Sequence, residues 1–431
     1  MRRAILRFLL LVPISPLVVP AHRASAQTES VLYSFTGGTN DGAVPANGLT
    51  FQNGSIFGVT NAGGGYNEDG ILLQLSPDGN GGWNEQAIHV FEGGNDGATP
   101  SPVIFDARGN LYGEAVNFGE YGCGLIYEFS PNGSSWSKMK VLYSFTCGSD
   151  GGSPSGGLTF DAAGNLYGTT GKGGDVNLCQ SEPWNVGCGV IFKLTPGAND
   201  TWTESVLYTF TGQGDGYAPQ GGLSLDTSGN FYGTTEYYGY NKADGGWGLI
   251  FELSPQPQGQ WKYSMLHRFP GGTGGQLPFS NLVVSNGKVY GTTWNGGLMS
   301  ACNGSGCGIA YELSAATKQF NILHTFTGAA DGGNLFSPLT LRNGKLFGTT
   351  QLGGNLNLCQ GTGGSRGDGC GVVYELSPAG EFRVIYTFED SNNNDGDGPD
   401  GRMASDSNGK LYGETRIGGT DDLGSIFEIA F

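Results

Sequence analysis

The sequence predicts an all-β protein, a seven-bladed β-propeller with four antiparallel strands in each blade, and three observations support this fold. An outer-strand phrase such as VLYSF at Val141 occurs seven times. A third-strand phrase such as VIFKLTP at Val190 also occurs seven times. The outer-strand phrases follow one another at intervals of 54 to 65 residues. Repeats of this length with about four strands are typical of propeller blades.

The repeat between Val141 and Pro196 shows how one unit forms its strands. It reads VLYSFTCGSDGG, then GGLTFDAAGNLYGTT, then a variable stretch, then CGVIFKLTP, and TWTESVLYTF opens the next unit. Apolar residues alternate within each run, and Asp-Gly, Ala-Gly-Asn and Gly-Gly separate the runs. Alternation bounded by such turn residues predicts short strands joined by tight turns.

The two ends of the chain indicate how the ring closes. The first repeat unit begins with an isolated outer strand, Ser30 to Phe35, and the last unit ends at Phe431 before its own outer strand. We expect the N-terminal strand to complete the seventh blade, because closure leaves no strand edge open. A linear β-solenoid is the alternative, but it requires capping units. The sequence shows no atypical end unit.

Composition excludes several classes of partner. The 431 residues include 80 glycines, 12% are aromatic and 14% charged, and the formal net charge is −17. Abundant glycine with few charges suits many short strands and turns. A strongly negative surface repels phosphate backbones and anionic lipids, so we expect neither nucleic acid nor a membrane surface as a partner.

Residues 1–26 are predicted to be a signal peptide. A positive start is followed by an apolar stretch to Val19 and by the small residues that precede cleavage after Ala26. A membrane anchor is the alternative, but three prolines interrupt the stretch: Pro13, Pro16 and Pro20. We therefore expect a single propeller domain over residues 27–431, exported to the periplasm or secreted, monomeric and without a C-terminal anchor.

The repeated phrases resemble a known family. VLYSFTGG, GGLTFDAAGNLYGTT and GGxxGCGVIFKLTP, with their spacing, are similar to the GloVer tandem repeat, found in exported bacterial proteins that use varied C-terminal anchors. The resemblance extends over essentially the whole mature chain and implies no catalytic residues. GGLTFDAAGNLYGTT is also similar to the first half of a blade in NHL-type propellers, and that likeness implies a partner-binding role.

The eight cysteines are predicted to form four disulfides. One cysteine in each of four repeats precedes the glycine that starts the third strand: Cys123, Cys188, Cys307 and Cys370. Of the 105 possible connectivities, the repeat selects one. The predicted pairs are Cys123–Cys147, Cys179–Cys188, Cys302–Cys307 and Cys359–Cys370. A metal site is the alternative, but neither a CxxC spacing nor a histidine partner accompanies these thiols.

Strand order places all of these disulfides on one side of the ring, which we name the disulfide face. It bears the loops between second and third strands and the loops that lead from each outer strand into the next blade. Variable loops on a rigid scaffold often carry function, so we expect a site here. Aromatic residues in these loops are candidates for stacking on sugar rings: Tyr237, Tyr238, Tyr240, Trp247, Trp184 and Trp294. The alternative is that these rings cover loop cores.

Three glutamates are candidate catalytic residues. Glu114 and Glu414 replace the first threonine of the usual Tyr-Gly-Thr-Thr, and Glu236 lies in the aromatic cluster of blade 4. Inward carboxylates would face the channel mouth, where a pair could serve polysaccharide hydrolysis or elimination. The alternative is that two exceptions to a repeat are sequence drift.

A calcium loop is a further hypothesis, and no other cofactor is expected. Asn393, Asp395 and Asp397 have the alternating spacing of calcium ligands, but Ala404 stands where a bidentate glutamate is expected. A solvated loop is the alternative. Asp395 also belongs to a recurring Asp-Gly series, which is more typical of tight turns than of a ring of metal ligands.

Together these features predict an exported, disulfide-stabilised propeller that binds a glycan or another extracellular protein. One alternative is a polysaccharide-acting hydrolase or lyase that uses loop carboxylates, with or without calcium. Another is a structural surface protein. The sequence favours a binding role over an enzymatic one.

Overall fold

The computed structural model describes residues 28–45, 47–63, 69–180, 186–239, 246–359, 369–389 and 394–431. Its strands form seven small antiparallel sheets arranged as the seven blades of a propeller, as predicted. In each blade the strands run outward from the central channel as inner, second, third and outer strand. Inner strands of blades 1 to 3 are each interrupted into two short pieces.

Blades 1 to 3 contain the following strands. Blade 1 comprises Gly42–Pro45 with Thr50–Gln52, then Ser55–Gly63, Ile71–Pro77 and Trp83–Val90. Blade 2 comprises Ala98–Pro100 with Ile104–Phe105, then Leu111–Asn117, Leu125–Phe129 and Lys140–Ser144, and adds the hairpin Pro131–Asn132 with Ser135–Trp136. Blade 3 comprises Gly152–Pro154 with Thr159–Phe160, then Leu166–Lys172, Val190–Pro196 and Trp202–Thr209.

Blades 4 to 7 complete the ring. Blade 4 comprises Ser224–Leu225, Phe231–Thr235, Leu249–Pro255 and Trp261–Arg268, and adds a ribbon of Gln213–Tyr217 with Tyr237–Gly239. Blade 5 comprises Val283–Ser285, Lys288–Thr293, Ile309–Ser314 and Phe320–Thr325. Blade 6 comprises Thr340–Arg342, Lys345–Thr350, Val372–Leu376 and Phe382–Thr387. Blade 7 comprises Asp397–Ser405, Leu411–Ile417, Ser425–Ala430 and, as its outer strand, Thr28–Ser34.

The helical content of the described residues is small. It consists of single 3-10 turns in the connections: Gly94–Asp96, Ala198–Asp200, Pro257–Gly259, Gly272–Gly274 and Cys302–Gly304. No helix in the described part of the chain is long and apolar enough to cross a bilayer.

The N-terminal strand closes the ring, which confirms the prediction. Its residues pair antiparallel with the last strand of the chain, from Thr28 opposite Ala430 to Ser34 opposite Ser425. Blade 7 thus takes three strands from the C-terminal end of the chain and one from the N-terminal end. The third strand of blade 7 is therefore paired on both sides.

Two glycines recur at the same positions of the repeat because the packing around them leaves no room for a side chain. In the second strand of blade 3, a Cβ on Gly168 would lie 2.5 Å from the ring of Phe192 on the third strand. At the start of the third strand of blade 2, Gly124 has a φ of +90° and packs against Pro154 of the next blade. Only glycine combines this backbone conformation with so close an approach.

The inner strands are joined around the channel by hydrogen bonds between neighbouring blades. Thr50 Oγ1 donates to the Val103 carbonyl at 2.7 Å, and Thr340 Oγ1 donates to the Met403 carbonyl at 2.7 Å. At the closure, the Leu49 amide donates to the Arg402 carbonyl at 2.9 Å. Hydrogen bonds between inner strands therefore join blades that are adjacent in sequence, and they also join blades 7 and 1 at the ring closure.

The aspartates of the recurring Asp-Gly pairs stabilise the connections between blades through hydrogen bonds. Asp150 accepts hydrogen bonds from the Tyr143 hydroxyl and from the Thr146 amide, each at 2.9 Å. In blade 1, His89 takes the place of the tyrosine and lies 3.0 Å from the Asp96 carboxylate. These carboxylates fix the turn that follows each outer strand, as expected from their sequence pattern.

All four predicted disulfides are present, and no free cysteine remains. Three of them close loops between second and third strands, and Cys123–Cys147 joins such a loop to the connection after the outer strand. Four disulfides are typical of proteins that fold in an oxidising environment.

Candidate functional site

A cavity of about 540 Å³ follows the central channel and is lined by residues of all seven blades. This volume falls within the range of small-molecule sites, roughly 300–1,000 Å³. Its charged lining residues, Asp400 and Arg402, both lie on blade 7, and blades 4 to 6 contribute Gln220, Phe279 and Phe336. The cavity is therefore chemically uneven around the ring.

One repeat position, the residue after the inner-strand proline or its counterpart, supplies Gln220, Phe279, Phe336 and Asp400. Blades 2 and 3 have Ser101 and Ser155 there, whereas blades 4 to 7 have larger side chains. These side chains meet residues at the ends of second strands. We name the combined set the channel rim, which consists of Asn47, Asn61, Gln220, Glu236, Phe279, Trp294, Phe336, Gln351 and Asp400.

One half of the channel rim is aromatic. The Phe279 ring centroid lies 5.5 Å from that of Trp294 and 5.3 Å from that of Phe336. Trp294 and Phe336 meet edge to face at 6.0 Å. Phe336 is 40% exposed, so it presents an apolar surface to water in the channel.

The other half of the channel rim is polar and consists of side-chain pairs. The Gln220 amide donates to Glu236 Oε2 at 2.7 Å, and the Gln351 amide donates to Asp400 Oδ2 at 2.9 Å. Asn47 likewise donates to Asn61 Oδ1 at 2.7 Å. These amides and carboxyls offer both donors and acceptors at the edge of the cavity.

Burial makes the two rim carboxyls weak acids. Desolvation raises the pKa of Asp400 to about 6, although the Gly401 amide donates to its carboxylate at 2.7 Å. Desolvation also raises the pKa of Glu236, and its hydrogen bond from Gln220 acts in the opposite direction. Both carboxyls therefore keep their protons to a higher pH than exposed carboxyls do.

Of the three predicted catalytic glutamates, only Glu236 lies at the channel rim. Glu114 and Glu414 are 0% and 1% exposed, so the expectation that they face the channel mouth is wrong. Glu114 Oε2 accepts the Gly157 amide of blade 3 at 2.9 Å, and Glu414 Oε1 accepts the Gly48 amide of blade 1 at 2.6 Å. Both glutamate side chains point toward the next blade, where each accepts a hydrogen bond from a backbone N–H that would otherwise be unpaired.

The predicted ligand-binding aromatics are divided between the channel rim and blade 4. Trp294 belongs to the channel rim. Tyr237 and Tyr238 lie in the added ribbon of blade 4, and Trp247 lies just before its third strand. Tyr237 stacks on Tyr217 at 4.8 Å, and the Arg268 guanidinium lies 4.0 Å from the centre of the Tyr238 ring. Trp247 is 41% exposed. Trp184 and Tyr240 lie outside the described residues.

The candidate calcium residues have separate surroundings. Asp395 Oδ2 accepts the Tyr386 hydroxyl at 2.5 Å and the Glu389 amide at 3.1 Å. Asp397 is buried and lies beside the sulfurs of Cys359 and Cys370. Those sulfurs form a disulfide, so they are not thiolate ligands for a metal. Asn393 lies outside the described residues.

Sequence reasoning missed most of the channel rim. Gln220, Phe279, Phe336, Gln351 and Asp400 were not among the predicted residues. A usable signal was present, because four of these five replace a small residue at one inner-strand repeat position. Gln351 was detectable in the same way at the end of the second strand, where blade 3 has Gly171.

The closed ring of seven four-stranded blades around a lined channel defines this protein as a β-propeller. The chain belongs to the family described as the Gloeobacter/Verrucomicrobia repeat. The family model matches residues 21–242, 178–362 and 244–431, and so covers nearly all of the chain. A comparison with curated proteins gave no match.

Solved structures with a similar fold are propeller proteins of low sequence identity. One is named as the extracellular domain of a one component system from B. thetaiotaomicron, with 12% identity, a TM-score of 0.53, and coverage of 93% of this chain and 40% of that chain. A glucose dehydrogenase shares 15% identity, with a TM-score of 0.44 over 94% of this chain and 99% of that chain. Trypanosoma rangeli sialidase shares 12% identity, with a TM-score of 0.42 over 95% and 60%. At these identities the likeness concerns the fold alone.

Proposed function

We propose that this protein is an exported binding module whose channel rim binds a carbohydrate. The observation that carries the proposal is the meeting, at one cavity, of an aromatic half with Phe336 exposed and a polar half of amide and carboxyl groups. An aromatic ring packs against the apolar face of a pyranose, while amides and carboxyls bond its hydroxyls.

Binding is better supported than catalysis by the positions of the carboxyls. Glu114 and Glu414 are buried between blades and accept hydrogen bonds from backbone amides. They are therefore not available to a substrate in the channel. Glu236 and Asp400 do lie at the rim, but each is held by a glutamine side chain. Such carboxyl–amide pairs are suited to the orientation of sugar hydroxyls.

Export is the second part of the proposal. Four disulfides support it, because such bonds persist in oxidising compartments and are rare in the cytosol. Fractionation of the producing cells tests this part directly. We expect the protein in the periplasmic or extracellular fraction, cleaved after Ala26, and a cytosolic, uncleaved chain would contradict export.

Carbohydrate binding is tested with a glycan array followed by calorimetry on the sugars that bind. We expect Phe336→Ala to weaken binding about 10-fold or more, because it removes the exposed part of the aromatic half. Tyr121→Ala is the matched control, since Tyr121 is a 55% exposed aromatic residue on the loop of blade 2 that carries Cys123.

Three results would contradict the proposal. No glycan binds, or the two variants lose affinity equally, or the sugars are cleaved. Release of reducing ends or unsaturated products would indicate the hydrolase or lyase instead, and loss of that activity in Glu236→Gln would locate it at the rim. Binding through blade 4 loops would instead be sensitive to Trp247→Ala and insensitive to Phe336→Ala.

A further inference from the structure

Arg402 is a feature of the channel that the proposed function does not explain. It is the only lysine or arginine among the described residues that line the cavity. In blades 1, 3 and 4 the same inner-strand position is occupied by glycine: Gly48, Gly157 and Gly222. Blade 7 therefore carries a long cationic side chain at a position where those three blades have none.

The guanidinium of Arg402 lacks a protein partner in the described structure. None of the described residues forms an ion pair or a side-chain hydrogen bond with it. Water reaches the side chain, yet protein surrounds it inside the channel, and this desolvation lowers the pKa of Arg402. The guanidinium is therefore accessible to a complementary charge on a ligand in the channel.

The backbone holds Arg402 firmly at this place. Its carbonyl accepts the Leu49 amide at 2.9 Å, and it forms a parallel bridge with Gly48 of blade 1. A Cβ on Gly48 would lie 2.5 Å from the Arg402 nitrogen, so the two strands are in close contact. The side chain therefore emerges from the ring closure, a rigid part of the molecule.

The charge balance of the cavity favours a ligand with a single negative charge. One guanidinium matches one carboxylate, which it can bind through two parallel hydrogen bonds. Asp400 is the other ionisable residue in the lining, and the protein as a whole carries a formal charge of −17. A dianionic phosphate would meet more repulsion than a carboxylate in these surroundings.

We propose that the cavity binds an acidic sugar, a uronic acid residue, with its carboxylate on Arg402 and its ring near the aromatic half of the channel rim. This inference rests on the proposed carbohydrate binding and names the class of sugar. Phe279 and Phe336 supply the apolar surface, and Gln220 and Asp400 supply bonds to hydroxyls from the same cavity wall.

The test is calorimetric titration of the full mature chain with matched pairs of trisaccharides. Each pair contains a uronate, from galacturonic, glucuronic or mannuronic acid, and its neutral parent sugar. We expect at least one uronate to bind roughly 10- to 100-fold more tightly than its parent, because a charge-assisted hydrogen bond replaces a neutral contact. Inorganic phosphate serves as a second anion and is expected to bind weakly.

Variants of Arg402 make the inference specific. Arg402→Gln is expected to abolish the preference for the uronate over its neutral parent. Arg402→Lys keeps the positive charge but loses the planar guanidinium with its paired N–H donors. It should therefore retain part of the preference for the uronate. Arg108→Gln is the matched control, because it removes one exposed guanidinium elsewhere on blade 2. Thermal unfolding confirms that each variant is folded.

The outcomes separate this inference from the proposed function. A uronate preference that persists in Arg402→Gln, or equal affinity for uronate and parent, overturns the inference. In either case, a loss of binding in Phe336→Ala still supports carbohydrate binding at the rim. If phosphate binds more tightly than every uronate, the cavity is an inorganic anion site and the inference is overturned. If no sugar of either kind binds, both proposals fail.

Discussion

Glu114 and Glu414 show how a single residue can join two blades. At the same second-strand position, Thr169 donates its hydroxyl to the Gly221 carbonyl of the next blade at 3.2 Å. The glutamates instead accept an amide of the next blade. This position therefore forms a hydrogen bond to the next blade whether it holds a threonine or a glutamate. The two glutamates are buried structural residues and not exposed acids.

The burial of Glu114 leads to a prediction about pH. Desolvation raises its pKa from 4.5 to about 8 in the folded protein. Between these values the folded state retains a proton that the unfolded state has released, so stability declines as pH rises through this window. The slope for one group is at most about 1.4 kcal/mol per pH unit. We expect Glu114→Gln to lessen the loss of unfolding free energy between pH 5 and pH 8.

Urea unfolding of the wild type and Glu114→Gln at both pH values measures this effect. The quantity of interest is the difference between the two pH-dependent losses, because a loss common to both proteins cancels. Glu120→Gln, which changes an exposed residue of the same blade, controls for net charge. Equal pH dependence in the wild type and Glu114→Gln would contradict the prediction.

Within one blade, the second-strand glycine leaves room for an aromatic side chain of the neighbouring third strand. Blades 3 and 4 pack Phe192 and Phe251 over Gly168 and Gly233, with 2.5 Å and 2.4 Å to the ideal Cβ positions. Blades 2, 5 and 6 use a tyrosine in the same way: Tyr127, Tyr311 and Tyr374. The repeated Tyr-Gly-Thr-Thr is therefore a packing motif of the element.

Gly168→Ala is expected to lower the free energy of unfolding by about 1–3 kcal/mol, because the added methyl group overpacks against Phe192. Gly171→Ala in the same strand is the matched control. Its Cβ would meet only the Ser153 carbonyl oxygen at 3.8 Å, so its effect should stay within about 0.5 kcal/mol. Denaturant unfolding of both variants checks this prediction, and equal losses would argue against the packing role.

Across the whole molecule, stability depends on closure between residues that are far apart in sequence. The outer strand Thr28–Ser34 pairs with Ser425–Ala430, and Gly48 and Glu414 bond across 366 residues. A Cβ on Gly424 would lie 2.6 Å from Pro45 Cδ, just as a Cβ on Gly124 would lie 2.5 Å from Pro154 Cδ. The closing interface therefore repeats the contacts found between blades that are adjacent in sequence.

Removal of residues 1–34 is expected to open blade 7 and to cause self-association, because the strand Ser425–Ala430 becomes an exposed edge. Removal of residues 1–27 is the control and should leave a folded monomer. Light scattering and thermal unfolding measure the difference. A synthetic peptide of residues 28–34 should restore the melting temperature of the shorter chain, and a scrambled peptide should not. A truncated chain that unfolds like the control would contradict closure by this strand.

Much of the fold could be predicted because it depends on local pattern repeated in register. Alternating apolar residues define the strands, turn residues separate them, and the shared position before a third-strand glycine pairs Cys188 with Cys179. The unfinished last blade and the isolated first strand predict closure. Each of these inferences needs only the order of residues along the chain and the geometry of a paired strand.

The candidate site was only partly predictable. Trp294 and Glu236 were identified from their sequence context, yet their partners Phe336 and Gln220 were not. The ring brings these pairs together across 42 and 16 residues of sequence. Sequence reasoning also expected the Glu414 side chain to face the channel mouth, whereas it is buried between blades. The sequence by itself determined the blades, the closure and the disulfides, since these follow from periodicity. Only the tertiary structure decided which side chains share the channel and which are buried between blades, because that depends on packing across the closed ring.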